Sequence, residues 1–492
     1  MTNRGFVPSA SNSMAVACAM QNDKESPFTL TLLDVDLSLQ VVRFSGLEAL
    51  NQPFRFDIDA IDLTPAIPPE QLLYQPAYLD FGQGQGIHGV LHSVGQAHRG
   101  AHRVAYKLVL VPRLQALEQQ CRRRIFRDLN VPMILRQLLE DNGLPVTSYR
   151  FELTTGHYPF RPFCIQYDET DLALLQRLCE EEGIHYHFEH QRDGHVLVLA
   201  DDSLSFPQEP LIVPYHDALA DNVDGPVITE LYQRHDSPPI PARADASNRG
   251  TSIPGDGAAN QSIGVTAPLH RPARQPHPEQ LSRRKLERLR CRQQQLNGRS
   301  NHPALTSARI IQVSEHPLGH FNDQWLITEN RHEGRQPSIL AEDCASMTPQ
   351  YFNQFSAIPW STAFRPPLNQ RRPSVPGFQP ARICGLSGLP PVLDDRGRIE
   401  VNLWPSQTAA DEPCGLWLPV ALACADTRID PARLPVAGSD VLVSFLDCDP
   451  DRPVLCAVMG HPEQPRPSRP REPAGDTGLL LDWLVNRSDL TP

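Results

Sequence analysis

The chain has 492 residues, enough for about three domains, and carries 57 Asp plus Glu against 45 Lys plus Arg, a formal net charge of −12. That balance excludes a nucleic-acid binder driven by general phosphate neutralisation, which needs clustered cations. Proline, at 49 of 492 residues, is about twice its usual share and excludes a long-helix or coiled-coil protein, because its ring breaks helix interiors and central strands.

Residues 1–27 read as a flexible leader. Met14 to Met20 is too short and too interrupted for the apolar core of a signal peptide. From Phe28 to Ile61 apolar residues alternate with strand periodicity, with turns near Asp34 and at Asn51-Gln-Pro53. Tyr78 to Val94 and Val104 to Val111 read the same way. Two helices are well punctuated. Asn130 caps Val131 to Glu140, and Gly143 ends it. The second starts at Asp168-Glu-Thr-Asp171, buries Leu172, Leu175, Leu178 and Cys179, and closes at Gly183. Strands return at Ile184–Phe188 and Val196–Leu199, joined through Arg192-Asp-Gly194.

Residues 236–278 are rich in Pro, Ala, Ser and Gly and read as an extended insert. Arg271 to Arg299 holds nine Lys/Arg against Glu279 and Glu287. A helix there would place Leu286 and Leu289 inward and its cations in solvent; the alternative is a docking patch for an acidic protein surface. Strands resume at Ala308–Val313 and Trp325–Thr328. A proline-rich crossing, Phe364 to Pro376, leads into a last unit, 381–461, with about five short strands, the pattern of a small closed barrel such as an OB-fold. The expected fold class is mainly β with a few helices. Its segments are two strand-rich parts (28–235 and 279–375), the OB-fold domain (381–461), and a Pro-rich linker with a short apolar tail (462–492). No run approaches the roughly 18 apolar residues of a membrane helix.

Candidate chemistry is sparse. His185-x-His187-x-x-His190, with His195 beyond, has two imidazoles on one strand face, but no Cys or carboxylate confirms a metal site; Glu189 is expected on the other face, and the rings read as satisfied by sheet or solvent. Asp168, Glu169, Asp171 and Glu180 to Glu182 could pair as catalytic carboxylates. The first three read instead as helix-terminal charges with Asp168 as cap, and the Glu run as an exposed helix end. Three aspartates in Asp447-Cys-Asp-Pro-Asp-Arg-Pro453 fit no calcium loop. Asp449, Asp451 and Arg452 read as a structural turn, Arg452 tying it to a carboxylate or to backbone carbonyls. The expectation is no catalytic residue, no cofactor and no metal. The barrel region 381–461, with six Arg, no Lys and eleven Asp/Glu, is too acidic for single-stranded nucleic acid.

The block Cys164-Ile-Gln-Tyr-Asp-Glu-Thr-Asp-Leu through Glu182-Gly-Ile-His-Tyr-His-Phe-Glu-His190 resembles the hub signature of VgrG proteins, the spikes of type VI secretion systems. Arg43 to Phe54, Arg124-Ile-Phe126 with Val131-Pro132, Phe364-Arg-Pro-Pro367, Asp395-x-Gly-Arg398 and Asp449-Pro-Asp-Arg-Pro453 match further landmarks of that family. The chain departs from the family pattern at Pro435-Val-Ala-Gly438 and at Cys448. The resemblance implies a fused phage-type baseplate hub and spike, with barrel-like hub domains in 28–235 and 279–375 followed by the small OB-fold barrel: a homotrimer on a tube of hexameric Hcp-like rings, carrying a PAAR-type tip protein and effector or adaptor proteins, with no enzymatic role. It implies assembly in the cytoplasm and export by the apparatus without a cleaved signal peptide. A β-helix needle usually follows the OB domain; the 32 residues after Gly460 leave it no room, so a needle-less spike is expected. Leu479, Leu480, Leu481, Trp483, Leu484 and Val485 form a possible partner-binding tail. The alternatives are an adaptor that holds a partner without needle function, or the spike of a phage-like particle.

Overall fold

The computed structural model describes residues 28–35, 37–63, 67–98, 103–217, 225–234, 276–336, 350–405, 415–420 and 434–458. The leader, nearly all of the Pro-rich insert, and the linker with its apolar tail at 479–485 lie outside these. The chain divides into two compact units. The first holds residues up to 120, 130–160 and 170–371. The second holds 121–129, 161–169 and the chain from 372.

In the first unit, β1 (Thr29–Leu32), β2 (Leu37–Ala49), β3 (Gln52–Leu63), β4 (Pro76–Asp80), β5 (Gly86–His98) and β6 (Arg103–Val111) pair in the order β1-β4-β5-β6-β3-β2, and β2 pairs back with β1. The sheet is therefore a closed six-stranded barrel, which removes exposed edges. Strand alternation fills it: Leu30, Leu39, Val41, Phe56, Ile58, Leu91 and Leu108 are buried together.

The chain then makes β7 (Cys121–Leu129), helix α1 (Val131–Asp141), β8 (Tyr149–Glu152), β9 (Arg161–Thr170), helix α2 (Asp171–Glu182), β10 (His185–His190) and β11 (His195–Ala200). Asn130 accepts from Met133 N–H and caps α1, as expected. The cap of α2 is Thr170, which accepts from Ala173 N–H at 3.1 Å, rather than Asp168. Gly183 ends α2 at φ 70°, in the left-handed region. β10, β11 and β8 form a small three-stranded sheet.

A second closed barrel follows from β12 (Leu211–Pro214), β13 (Ile228–Arg234), β14 (Gln295–Ser300), β15 (Ile310–Ser314), β16 (Gln324–Arg335) and β17 (Gln350–Pro359), with helix α3 (Pro276–Gln293) between β13 and β14. Its ring is β12-β15-β16-β17-β14-β13, closed by a parallel bridge from Tyr215 to Ile228. Numbered by their order in each barrel, the strands of the two rings follow the same circuit: first, fourth, fifth, sixth, third, second. One strand differs in sense, since β12 runs parallel to its neighbour where β1 runs antiparallel. The barrels join where β2 pairs with β16. At that seam two glycines admit aromatic rings. A Cβ on Gly46 would stand 2.0 Å from the Phe56 ring, and one on Gly334 would stand 2.1 Å from the Phe44 ring.

In the second unit, β18 (Phe378–Ile383), β19 (Ile399–Leu403), β20 (Leu416–Leu418), β21 (Asp440–Phe445) and β22 (Pro453–Val458) run in the order β20-β19-β18-β21-β22. Val420 bridges Leu455 in parallel and closes the ring. The third strand meeting the fifth in parallel is OB-fold connectivity. β7 and β9 form a two-stranded ribbon of this unit, and Ile165 and Tyr167 enter the barrel's core with Ile399, Val401, Val441 and Val443. The fold is mainly β with barrel-like closed sheets, as the sequence implied.

Candidate functional site

The turn between β21 and β22 holds the sequence-flagged Asp449, Asp451 and Arg452. Asp447 and Cys448 both adopt φ 56°. Asp449 N–H donates to Leu446 O, Arg452 N–H to Asp449 O, and Leu446 N–H to Arg452 O, each at 3.0 Å. Asp449 Oδ1 accepts from Asp451 N–H at 3.0 Å. Arg452 Nη1 donates to Asp447 Oδ2 at 2.6 Å. Arg372 Nη1 reaches Asp451 Oδ2 at 3.3 Å and Asp449 Oδ1 at 3.7 Å. Two guanidiniums thus face three carboxylates. Among the described residues no group of three or more His, Cys, Asp or Glu is placed to hold a metal ion.

The acidic set is not one site. Asp168, at φ 48°, takes a two-point contact from Arg123 at 2.7 and 2.8 Å, which holds its carboxyl below the usual range. Asp171 is buried and accepts from Asn142 Nδ2. The Glu run is not an exposed helix end. Glu180 and Glu182 are buried; Glu180 Oε2 accepts from the Asn369 and Gln370 N–H groups, both at 2.8 Å. Burial still raises the Glu180 pKa, with those backbone donors opposing.

Glu182 belongs to a buried ionic cluster that docks α3. Its Oε2 lies 2.9 Å from His277 Nε2 and 3.9 Å from Arg284 Nη1. Arg284 Nη2 lies 3.9 Å from Asp201 Oδ2. Asp201 also accepts from Tyr158 OH at 2.8 Å and from the N–H groups of Thr154, Thr155 and Gly156. Burial opposes its charge, yet these donors outweigh it and hold the carboxyl low. Arg288 donates to the Pro366 and Glu180 carbonyls, and Arg365 Nε to Glu287 Oε2 at 2.7 Å. The expectation for α3 is therefore inverted. Its inner face is Gln280, Arg284, Arg288 and Cys291, whereas Leu286 is 57 % exposed and Leu289 is exposed. An ionic partner, not an apolar one, sets which face turns in.

The histidines are buried rather than solvated. His187 has both ring nitrogens buried without a hydrogen-bond partner, and its pKa is pushed down to about 4 by burial. Glu189 stands two positions along the same strand and so shares the His187 face rather than the other; Arg150 holds it at 2.6 Å. His195 meets His88 of β5, a residue without any sequence signal. A second buried network spans the seam: His332 Nε2 lies 3.1 Å from Glu48 Oε1, His332 Nδ1 lies 2.7 Å from Tyr351 OH, and Ser307 N–H donates to Glu48 Oε1. Glu48 sits inside an apolar run and its partner is 284 residues away, so no local pattern announces it. The titratable groups described here are spent on holding elements together.

The chain matches the phage tail baseplate hub (GPD) family over residues 47–338. It is 39 % identical over 457 residues to the type VI secretion system spike protein VgrG5 of Pseudomonas aeruginosa, covering 89 % of this chain and 58 % of that protein. The chain belongs to the phage tail baseplate hub family. VgrG4b of the same organism is 35 % identical over 467 residues, covering 90 % of this chain and 57 % of VgrG4b. The chain thus spans a little over half the length of these VgrG relatives. Among solved structures, the E. coli c3393 protein, described as a type VI component similar to T4 tail proteins gp27 and gp5, superposes with a TM-score of 0.66 at 24 % identity, over 87 % of this chain and 99 % of that one. The Francisella PdpA–VgrG complex, half-lidded, gives 0.54 at 9 % identity, over 94 % and 87 %. These two likenesses bear on the fold. The VgrG landmarks fall in both units: the signature block leads from β9 through α2 into β10, and Asp449–Pro453 is the β21–β22 turn.

Proposed function

We propose that this chain is the hub and OB neck of a type VI secretion spike, with the hub in 28–235 and 279–375 and the neck in 381–461. The observation that carries this reading is the pair of six-stranded barrels with one circuit, followed by an OB unit, in a baseplate hub family member whose curated relatives are VgrG spike proteins. Three chains around an axis present six such barrels, which matches the hexameric symmetry of a ring-built tube. On this reading the chain is a homotrimer that seats on Hcp-like rings, carries a PAAR-type tip and effector or adaptor proteins, and leaves the cell through the apparatus. Its role is mechanical, without catalysis. The test is mass spectrometry of culture medium from strains with and without a working sheath. Peptides of this chain are expected only with the working sheath. Equal amounts in both, or none in either while tube protein is exported, would contradict the reading.

A further inference from the structure

Three imidazoles meet where the small sheet lies against the first barrel. His190 and His195 pair across the end of the β10–β11 hairpin, and His88 comes from β5. His88 Nδ1 and His195 Nδ1 are 2.9 Å apart, and Arg113 N–H donates to His195 Nε2 at 3.1 Å. Those contacts fix the protons. With Nε2 accepting, His195 carries its proton on Nδ1 and donates it to His88 Nδ1. The proton of His88 then sits on Nε2, a buried atom without a hydrogen-bond partner. An added proton on this pair must land on a nitrogen already accepting: on His88 Nδ1 it meets the His195 N–H, and on His195 Nε2 it meets the Arg113 N–H. Either way a bond linking β11 to β5, or to the backbone at Arg113, is lost.

The surroundings are apolar. The Phe54 ring lies 5.0 Å from His190 and 5.8 Å from His195, and the Phe188 ring 5.9 Å from His195. The charged neighbours come from every side: Arg113 from the segment after β6, Asp193 from the hairpin turn, Glu48 from β2 and His332 from β16. Arg113 and the imidazoles themselves oppose a new positive charge; Asp193 and Glu48 favour it. Burial dominates, and pushes His88 and His190 down to about 4 and His195 to about 2.

We propose that His88, His190 and His195 form a proton-operated latch that holds the β8–β10–β11 sheet on the first barrel at neutral pH and releases it in acid. Released imidazoles regain an ordinary affinity for protons, so the open form binds more protons than the closed form below about pH 6.5, and falling pH drives opening. The far end of β10 stays held, because Asn51 N–H donates to Tyr186 O and Asn51 Nδ2 to Ile184 O. The sheet therefore swings from that end.

The test is pulsed hydrogen exchange on the full chain, incubated between pH 7.5 and 4 and labelled briefly at one fixed pH. Peptides over 185–200 are expected to lose protection with a midpoint between pH 6 and 4 while those over β3, β6, β16 and β17 keep theirs. Between the open and closed pKa values the opening constant should rise by up to about 1000-fold per pH unit, as uptake of three protons requires. A His88→Gln, His195→Gln double variant should move the midpoint down by about one pH unit. Joint loss of protection in sheet and barrels overturns the latch, and so does a rise below tenfold per unit in the unmutated chain, whether or not the variant folds. An unchanged midpoint in a folded variant overturns it too.

Discussion

Arg284 lies 3.9 Å from Glu182 and from Asp201 with all three side chains buried, whereas Arg452 meets Asp447 at 2.6 Å with the two side chains 52 % and 83 % exposed. Distance alone ranks the second pair higher; solvent reverses the order. Removing one member of a buried ion pair leaves the others charged and desolvated, so Arg284→Ala should cost about 3–5 kcal/mol in urea melts. Arg452→Ala should cost about 0–1 kcal/mol, and a chelator should leave the melting temperature unchanged. A chelator-sensitive melt would mean that the aspartates of this turn hold an ion. The buried histidines set the acid limb of stability. Their folded pKa values lie below the unfolded value of about 6.5, so nothing is lost at neutral pH. Stability falls once pH drops below about 6.5 and goes on falling to about 4, where His88, His187 and His190 titrate in the folded chain. Urea melts at pH 7 and pH 5 should therefore give a lower unfolding free energy at pH 5.

At the scale of elements, α1 and α2 were legible because their signals are local: Asn130 before one, Gly143 and Gly183 after each, and a leucine stripe between. α3 shows where such reading stops. Its inward positions, the buried Gln280, Arg284 and Cys291 and the half-buried Arg288, keep helical spacing but are mostly polar, so hydrophobic periodicity picks the opposite face. Leu286→Ser should change stability by less than about 0.5 kcal/mol, because the side chain already faces solvent. Gly183 combines two constraints, a left-handed φ and a Cβ position 2.7 Å from the Arg284 side chain, so Gly183→Ala should be destabilising by more than about 1 kcal/mol. At the barrel seam, Gly334→Val would drive branched carbon into the Phe44 ring and should cost more than any surface change tested alongside it. The Asp449–Pro453 turn was legible from its Asp-Pro and Arg-Pro steps. The contacts from Arg372, 79 residues away from Asp451, were not, since nothing near either residue marks the pair.

For the whole molecule, the short strands of 381–461 indicated a small closed barrel, whereas periodicity in the rest indicated strands but not the two rings they close. Ring closure rests on β1 returning to β2 and on single bridges such as Tyr215 to Ile228, and the seam joins β2 to β16 across more than 280 residues. Pairings this distant leave no trace in a window of neighbours, and only the resemblance to a spike family anticipated them. On the proposed reading, two barrels with one circuit would let three chains offer sixfold-like contacts, and association is the claim on which that reading depends. An obligate trimer shows no stable folded monomer on dilution. Light scattering on the well-folded chain measures this directly. The account predicts a particle of about 165 kDa, three times the chain mass of 54.9 kDa, that persists on dilution until the protein unfolds. A folded particle of one chain mass would contradict it.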